Sequence, residues 1–520
     1  RDFCLSRGLG DVYKRQHLES MGFLKEDVLG LRTLDVINDC VTMAGVKDSL
    51  DLAKLPWDDK PTLDLLCKGD TLGVFQMKSP GMIRTLKSIA PKNFVDLIAV
   101  VALYRPACII TGMLDEYIER RNGKPFEYLD KRLEEPLGET YGIMVFQEQV
   151  MRVCQLIAGY SMAEADTVRR AVGKKDYDLM QEITAEFVDR AVANGTNKDI
   201  AEQILDHIVK SSSYNFNKSH SQSYGYMAYI TAYLKAHYPL EFYVATINSE
   251  DGNQEKILPY IQEIKRKGIE ILPPDLRHSE REWTVDGNAI RVGLAYIKGI
   301  NKIEKPQEYT IDAIFSKYTK LQLEGLVGSG ALDFLGETNE LMALIPKYKS
   351  FDNDRKNAQN KIDEWNHKLR DHQQLMQTES PTATPKQLQS MEKKLANIQK
   401  KIQEWTSKYD SITLLESPDL TAKTPLASLR YKYLGCSFEN PLMEYNTELA
   451  NGRDVKAIIV SDFKQRTTKT GKPMAYVFDH LGNKYVMWSS YLVEMKAGVG
   501  YYIQLRGDCI TKMKPLELKK

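Results

Sequence analysis

The segment Ser211–Tyr229 reads SSSYNFNKSHSQSYGYMAY and brings aromatic rings, hydroxyls, an ammonium group and an imidazole together within about five helical turns. It is too polar to be typical of an ordinary core helix. A helix that begins near Asn217 has Lys218 and His220 in its first turn, where free backbone N–H groups and the helix dipole favour phosphate. Tyr214 precedes that turn and offers a ring on which a base can stack. The segment predicts a site for a flat, anionic ligand; the alternative is a solvated helix face.

A second group of cations lies upstream, in ADTVRRAVGKK (165–175). Its small and apolar residues fit a packed helix, while Arg169, Arg170, Lys174 and Lys175 crowd four positive charges together. Because like charges repel, such a cluster needs a polyanion or carboxylate partners.

The chain also carries six motifs in series: TLGVFQMKSPGM (71–82), ALYRP (102–106), YGIMVFQEQVM (141–151), VRRAVGKK (168–175), NFNKSHS (215–221) and LKAHYPLEF (234–242). These motifs and their order resemble those of the alpha subunit of bacterial DNA polymerase III, a C-family replicative DNA polymerase. Such a series is far more specific than any single motif. The chain therefore resembles the C-terminal portion of that subunit, from the end of the palm through the fingers, a helix-hairpin-helix region and an OB domain.

This resemblance implies template-directed transfer of a nucleotidyl group from a dNTP to a primer 3′-hydroxyl, with two Mg²⁺ ions as cofactors. It implies nucleotide-binding roles for the following residues: Lys25, Arg169, Arg170, Lys174, Tyr214, Lys218 and His220. Asp27 becomes a catalytic carboxylate and metal ligand, since two divalent ions need clustered carboxylate oxygens. The implied partners are primer–template DNA, dNTP, the sliding clamp and other replisome subunits.

Two positions depart from the family pattern. Glu26 stands where the family usually has an apolar residue, and Arg105-Pro106-Ala107-Cys108 replaces its Arg-Pro-Gly-Pro. Without the family, Lys25-Glu26-Asp27 is an ordinary charged triplet. The family's two other catalytic aspartates precede this triplet and are absent from these residues, so we expect this chain alone to be inactive as a polymerase.

Composition describes a multidomain globular protein of 520 residues, 42% hydrophobic and 27% charged. The net charge is only +1, so any contact with nucleic acid depends on local basic patches. The seven cysteines form no CxxC pair, which argues against a zinc ribbon or a disulfide scaffold and for a reducing cytoplasm. No apolar run is long enough to predict a membrane span.

The patterns predict a mainly α multidomain fold with a C-terminal all-β barrel of the OB type. The predicted divisions are an unmatched, non-native leader (1–16), the end of the palm (17–45), fingers (46–274), tandem helix-hairpin-helix motifs (275–348), an antiparallel helical hairpin inserted at 349–413, a linker (414–452) and the OB fold (453–520).

Two glycine-containing segments predict DNA contacts after the fingers. We expect a helix over Val292–Ile300 to end in Lys298-Gly299, and a companion turn to use Gly328 and Gly330. Backbone N–H groups in such turns can bind a DNA phosphate. The alternative is a glycine cap between packed helices.

The inserted hairpin is predicted from two apolar seams with three- and four-residue spacing. They are Ile362, Trp365, Leu369, His372 and Met376, and Leu388, Met391, Leu395, Ile398, Ile402, Trp405 and Tyr409. A sliding-clamp peptide at Gln374 or Gln387 is a weaker interpretation, because the seam explains the neighbouring apolar residues better.

The C-terminal strands carry basic and aromatic residues suited to single-stranded template. They are Lys464, Arg466, Lys469, Lys472, Tyr476 and Trp488. OB barrels also dock proteins, so that alternative stays open.

Other functional classes compete with the polymerase interpretation. A non-catalytic DNA-binding or assembly module and an error-prone polymerase of the same family remain alternatives. A helicase or nucleotide hydrolase is excluded, because Gly173-Lys174-Lys175 lacks the frame of a phosphate-binding loop.

Overall fold

The computed structural model describes these parts of the chain: residues 30–174, 186–212, 214–300, 302–379, 383–413, 426–436, 455–467, 473–479, 483–488, 495–496, 499–506 and 509–515. The chain divides into two compact units, Arg1–Phe242 and Tyr243–Lys520. No helix in the described part of the chain combines the length and the apolarity needed to cross a membrane.

The regular elements in the described part of the first unit are helices, in agreement with the mainly α prediction. Its helices are α1 (Arg32–Met43), α2 (Lys60–Lys68), α3 (Pro80–Ile89), α4 (Phe94–Leu103), α5 (Pro106–Ile110), α6 (Met113–Arg121), α7 (Glu134–Leu137), α8 (Gln147–Ala158), α9 (Met162–Lys174), α10 (described over 186–193), α11 (Lys198–Ser212) and α12 (Lys218–His237). The next helix, α13 (Pro239–Asn248), spans the division between the units.

Helix α12 is the central element of the first unit, because it packs against α1, α2 and α4. Its aromatic face places Tyr229 against Trp57, with ring centroids 5.3 Å apart. Lys235 is almost fully buried, and its ammonium group donates to the carbonyl oxygens of Asp70 and Leu72 at 2.9 and 2.8 Å. The C-terminal half of α12 is thus a core helix, whereas its first turns carry the polar residues.

Helices α8, α9, α10 and α11 enclose a second apolar core in the same unit. Val150, Val153 and Ile157 of α8 meet Val168 of α9 and Ile204 of α11 there. This core fixes the position of α9, and with it the arginines that the sequence singles out.

The second unit starts with α14 (Gln254–Arg266) and a small sheet. Strand β1 (Ile271–Leu272) pairs in parallel with β3 (Ala289–Arg291), and β2 (Thr284–Asp286) pairs antiparallel with β3. Two helices follow, α15 (Ile311–Lys317) and α16 (Lys320–Ser329).

The predicted helix over Val292–Ile300 is wrong. The structure has only one 3₁₀ turn there, Leu294–Tyr296, and the backbone is extended again at Ile297. The helix stops because the N–H of Lys298 donates 2.9 Å to the carbonyl of Tyr433 rather than continuing the helical pattern.

The predicted helical hairpin is present, but its first helix is longer than expected. Helix α17 (Thr338–Glu379) starts before the predicted boundary at 348/349, and α18 (Pro385–Ser411) returns antiparallel to it. Arg355 donates to the hydroxyl of Tyr409 at 2.6 Å, and His372 bonds the carbonyl of Met391 at 2.8 Å. A last helix, α19 (Leu426–Leu434), packs against α16.

Five strands form the C-terminal module: β4 (Val455–Thr467), β5 (Pro473–Asp479), β6 (Lys484–Trp488), β7 (Gly500–Arg506) and β8 (Cys509–Pro515). Pairing runs in the order β4-β5-β6-β8-β7 and returns to β4. The parallel step from β6 to β8 consists of two residue pairs, Val486–Cys509 and Met487–Ile510. The all-β module is confirmed, and its assignment to the OB type stays a prediction.

Candidate functional site

The N-termini of α8 and α12 lie side by side. The N–H of Phe216 donates 2.9 Å to the carbonyl of Val145, and the N–H of Gln147 donates 2.9 Å to the carbonyl of Phe216. Asn217 caps α12, as the sequence predicts, by accepting from the N–H of His220 at 2.8 Å. Two helix starts thus present their positive ends at one place.

Lys218 lies at this junction and is bound by two carboxylates. Its backbone N–H donates to both oxygens of Glu148, at 3.0 and 3.1 Å, and its ammonium group pairs with Glu139 at 2.6 Å. The side chain is about one-third exposed. The donors that a phosphate would use are therefore occupied by carboxylate oxygens in this structure.

Arg169 reaches the same junction from α9. Its guanidinium group donates 3.3 Å to the side-chain oxygen of Gln147, the first residue of α8, and pairs with Asp166 at 2.8 Å. The hydrogen bond from Arg169 lowers the pKa of Asp166. Arg170 pairs with the same carboxylate at 3.1 Å but is 58% exposed. Lys174 ends α9, and its side chain lies outside the described residues.

His220 and Tyr214 flank the junction differently. The exposed His220 ring lies against the Tyr224 ring, tilted by 30° with centroids 4.1 Å apart, and meets the edge of Phe216 at 5.3 Å. Tyr214 lines a cavity of about 860 Å³ to which Arg169, Lys218 and His220 do not contribute. The structure therefore places Arg169, Lys218 and His220 at the two adjoining helix starts, while Tyr214 lines a cavity to which they do not contribute.

Arg105 links the two sides and was missed as a site residue. Its guanidinium group lies over the Phe216 ring at 4.4 Å and donates to the carbonyl of Tyr214. In the sequence, Arg105 stands out only as part of the ALYRP motif and of the departure from Arg-Pro-Gly-Pro. A pairing with residues more than a hundred positions away leaves no local signal.

Of the two glutamines at the start of α8, one serves the fold and the other faces the site. Gln149 is 4% exposed and makes four hydrogen bonds: it accepts from the N–H groups of Val145 and Phe146 and donates to Pro136 and Thr140. Gln147 instead holds Arg169. Gln149 is thus a positioning residue for the helix start on which the cluster is built.

The predicted metal site lies outside the described residues, as do Lys25 and Asp27. Within the described part of the chain, no three His, Cys, Asp or Glu side chains form a group that could hold a metal ion. The role of Asp27 and the two Mg²⁺ ions stay predictions.

The glycines predicted to bind DNA have packing roles at α16. A Cβ on Gly328, inside the helix, would lie 2.3 Å from the ring of Tyr433 on α19. Gly330 is left-handed (φ +91°), caps α16, and a Cβ there would meet the guanidinium of Arg430 at 2.8 Å. The N–H of Gly330 is bonded to Val327 within the cap. These contacts favour the alternative of a glycine cap between packed helices, and DNA binding by Gly328 and Gly330 stays a prediction.

Lys298 and Gly299 form a left-handed turn, with φ +93° at Gly299. The Lys298 N–H bonds Tyr433, so its side chain and not its N–H is the group left for a phosphate. Both DNA-binding assignments stay predictions.

Basic and aromatic side chains alternate on neighbouring strands of the barrel. The exposed Lys464 and Arg466 of β4 lie 5.4 and 5.8 Å from the rings of Phe478 and Tyr476 on β5. Trp488 on β6 is 46% exposed. Lys469 and Lys472 lie outside the described residues. This face has the groups that a single strand needs, and the template role stays a prediction.

Comparisons with known proteins agree with the motif series. A family model described as bacterial DNA polymerase III alpha subunit finger domain matches residues 33–195, and a helix-hairpin-helix motif matches residues 268–342.

The similar curated proteins are called DNA polymerase III subunit alpha. The one from Aquifex aeolicus (strain VF5) is 41% identical over 353 residues, covering 64% of this chain and 30% of that protein. The one from Bacillus subtilis (strain 168) is 38% identical over 342 residues, covering 62% of this chain and 30% of that protein. The chain thus spans about 30% of the length of these relatives. These matches confirm the predicted resemblance: the chain corresponds to a segment of the DNA polymerase III alpha subunit that carries the finger domain and a helix-hairpin-helix motif.

Proposed function

We propose that the junction of α8, α9 and α12 binds the triphosphate of an incoming dNTP, as part of a polymerase that transfers nucleotidyl groups to a primer 3′-hydroxyl on a template. The observation that carries this proposal is the convergence of Arg169, Lys218 and His220 at two adjoining helix N-termini. Helix N-termini and cations together favour phosphate more than either does alone.

Binding requires the triphosphate to replace carboxylates. Glu148 accepts from the backbone N–H of Lys218, and Glu139 pairs with its ammonium group. Asp166 pairs with the guanidinium group of Arg169. Arg169 offers a planar fork for two phosphate oxygens, whereas Lys218 acts as a compact point charge. His220, whose ring lies against Tyr224, is placed to donate from its ring. We assign these side chains to holding and orienting the phosphates, which supplies much of the catalysis in phosphoryl transfer.

The metal chemistry belongs to the same proposal but rests on the resemblance. Two Mg²⁺ ions would neutralise phosphate charge when bound, with Asp27 as one ligand and Lys25 beside the nucleotide. For these 520 residues as they stand, we propose nucleotide and DNA binding without primer extension, since the resemblance supplies only Asp27 of the catalytic carboxylates.

Primer–template DNA is the proposed second ligand. The side chain of Lys298, the turn at Gly299, and Lys464 and Arg466 on the barrel are its proposed contacts. The sliding clamp, other replisome subunits and a cytoplasmic location follow from the resemblance. Gln387 is an unsuitable clamp contact, because its side chain caps α18 by accepting from the N–H of Thr384 at 2.8 Å.

The test is titration of a fluorescent dNTP analogue into the chain and its variants. We expect Arg169→Ala and His220→Ala each to weaken binding about tenfold, the loss of one charged hydrogen bond. Arg152→Ala is the matched control, because Arg152 is a partly exposed arginine of α8 paired with Glu135. Equal affinities for Arg169→Ala and Arg152→Ala would contradict the proposal.

A further inference from the structure

The two long helices of the hairpin, α17 and α18, have flanks of very different charge. The contacts of Arg355 with Tyr409 and of His372 with Met391 fix how the helices face each other. These two contacts set the register: residue 368 of α17 lies opposite about residue 395 of α18, and residue 361 of α17 lies opposite about residue 402 of α18. With this register, the side chains beside the seam can be assigned to one flank or the other.

One flank is rich in lysine. Helix α18 contributes Lys394, Lys401 and Lys408, seven residues apart and directly beside the seam. The register places Lys368 and Lys361 of α17 level with Lys394 and Lys401. Leu375, Gln387 and Lys394 line one cavity, which shows that these positions of the two helices share a flank.

A second row of lysines lies on the side of α18 that faces away from α17, about 100° around the helix from the first row. It consists of Lys386, Lys393 and Lys400, which repeat every seven residues along α18 and are all exposed. Lys393 and Lys400 each come one residue before a lysine of the first row, and Lys386 comes one residue before Gln387. We call both rows, together with Lys361 and Lys368, the lysine flank.

Directly beside the seam, the opposite flank carries little charge, and Lys356, Asp363 and Arg370 of α17 lie next to it. Its positions on α17 are Gln359, Asn366 and Gln373, and its positions on α18 include Gln399 and Thr406. Glu392, seven residues before Gln399, also lies on this flank of α18 and is ionisable. The lysines directly beside the seam are therefore segregated to one flank.

Few carboxylates neutralise the lysine flank. Glu364 pairs with Lys361 at 2.8 Å and Lys368 at 2.7 Å, and Glu404 pairs with Lys401 at 2.7 Å. Lys393 and Lys394 make no ion pair within the described part of the chain. The flank keeps a net positive charge.

Two tryptophans of the seam support this flank. The ammonium groups of Lys368 and Lys408 lie over the rings of Trp365 and Trp405, 4.3 and 4.6 Å from their centroids. Such contacts hold a lysine side chain without removing its charge.

We propose that the lysine flank binds the phosphate backbone of duplex DNA along the length of the hairpin. Positions seven residues apart are roughly 10.5 Å apart on a helix, so Lys386 to Lys408 covers roughly 33 Å. Duplex DNA carries about one negative charge per 1.7 Å of axis, so a duplex lying alongside presents a high density of phosphates over the length of the row. Because backbone contacts carry no sequence information, the binding is independent of sequence.

A protein partner fits the flank less well than DNA. Protein interfaces are enriched in aromatic residues, Met and Arg and depleted in Lys. The lysine flank has the opposite composition: it is rich in Lys, its tryptophans lie beneath lysines, and its exposed apolar side chain is Leu375. The choice of DNA among polyanions also rests on the proposed polymerase function.

The test compares two variants of the full chain with equal changes of charge. The first replaces lysines of the flank: Lys393→Gln, Lys394→Gln, Lys400→Gln and Lys401→Gln. The second adds acids on the opposite flank: Gln359→Glu, Asn366→Asp, Gln373→Glu and Gln399→Glu. Far-UV circular dichroism checks that both variants keep their helices.

Binding of a fluorescent 30-base-pair duplex is then followed by anisotropy across a salt series. We expect the lysine variant to bind at least tenfold more weakly at low salt, with a log–log salt slope shallower by about 3. The opposite-flank variant should stay within about threefold of the parent, since its changes are farther from the phosphates. Equal losses in both variants, or unchanged binding in the lysine variant, would overturn the proposal.

A nucleotide titration separates this proposal from the polymerase function. The lysine variant should bind the dNTP analogue like the parent protein. Loss of duplex binding with normal nucleotide binding supports the hairpin proposal alone. If Arg169→Ala leaves nucleotide binding unchanged, the proposed nucleotide site fails while the hairpin result stands.

Discussion

The cations at the α8–α12 junction and those on the lysine flank differ in how they are neutralised. At the junction, Lys218 and Arg169 are each bound by carboxylates and by neighbouring polar groups. On the flank, exposed lysines repeat along one helix, and Lys393 and Lys394 make no ion pair within the described residues.

This difference indicates different ligands. Cations that are held by carboxylates in fixed positions suit a small ligand whose few phosphates can replace those carboxylates. A long row with excess charge suits an extended polyanion, whose binding comes from counterion release and needs no fixed geometry.

The largest effect should come from removing the buried support of the junction. Gln149→Ala leaves the N–H groups of Val145 and Phe146 without their acceptor, which should cost about 3 kcal/mol. Hydrogen exchange of amides in residues 141–158 measures this loss. Gln147→Ala is the control and should change exchange little, because Gln147 is less buried and bonds Arg169 instead. Equal protection in both variants would show that Gln149 does not support the site.

Removing the ammonium group at the junction should have the next largest effect. Lys218→Met should weaken dNTP binding about tenfold, since it removes one phosphate contact and leaves Glu139 unpaired. Lys198→Met is the control: Lys198 on α11 is 71% exposed and forms a surface pair with Glu202. The dNTP titration measures both, and a similar affinity in both would place the triphosphate elsewhere.

Removing a carboxylate from the lysine flank should have a smaller and opposite effect. Glu364→Gln frees Lys361 and Lys368, so duplex binding should become about threefold tighter. Glu392→Gln, on the opposite flank, changes the net charge equally and should have less effect. Duplex anisotropy at low salt is the measurement. Tighter binding by Glu392→Gln than by Glu364→Gln would contradict the assignment of the flanks.

The smallest effect concerns pH and the start of α9. A hydrogen bond from the backbone of Ser161 and others from Arg190 and the Ser161 hydroxyl lower the pKa of Glu164 to about 2. Because the folded pKa lies below the ordinary glutamate value of 4.5, this stabilisation is present above about pH 4.5 and is lost as the pH falls towards 2. The melting temperature should therefore fall less steeply between pH 5 and 2 in Glu164→Gln. An identical pH dependence would show that Glu164 does not contribute.

Elements with a clear period or cap could be predicted from the sequence. The start of α12 at Asn217, the seams of the hairpin and strands β4 to β7 each follow from local patterns. Strand β8 (Cys509–Pro515) lies within the predicted barrel at 453–520, but CITKMKP shows too little apolar alternation to locate it from the sequence. The helix predicted around the short turn at Leu294–Tyr296 is wrong, since the bond from Lys298 to Tyr433 joins residues far apart in sequence.

The site was only partly predictable for the same reason. Charge and the family motifs identify Arg169, Lys218 and His220, but not the partners that hold them. Glu139 is 79 residues from Lys218, and Glu148 is 70 residues from it. The residue type of Gln149 gives no sign that it supports the backbone while Gln147 bonds Arg169.

The most direct test of the comparison measures two ligands on two variants under the same conditions. The dNTP analogue and the 30-base-pair duplex are titrated into Arg169→Ala and into the fourfold lysine variant of the hairpin. We predict that Arg169→Ala loses about tenfold in nucleotide affinity with little change for the duplex, and that the lysine variant shows the reverse. If each variant loses both ligands equally, or neither ligand, the division of function between the two regions is wrong.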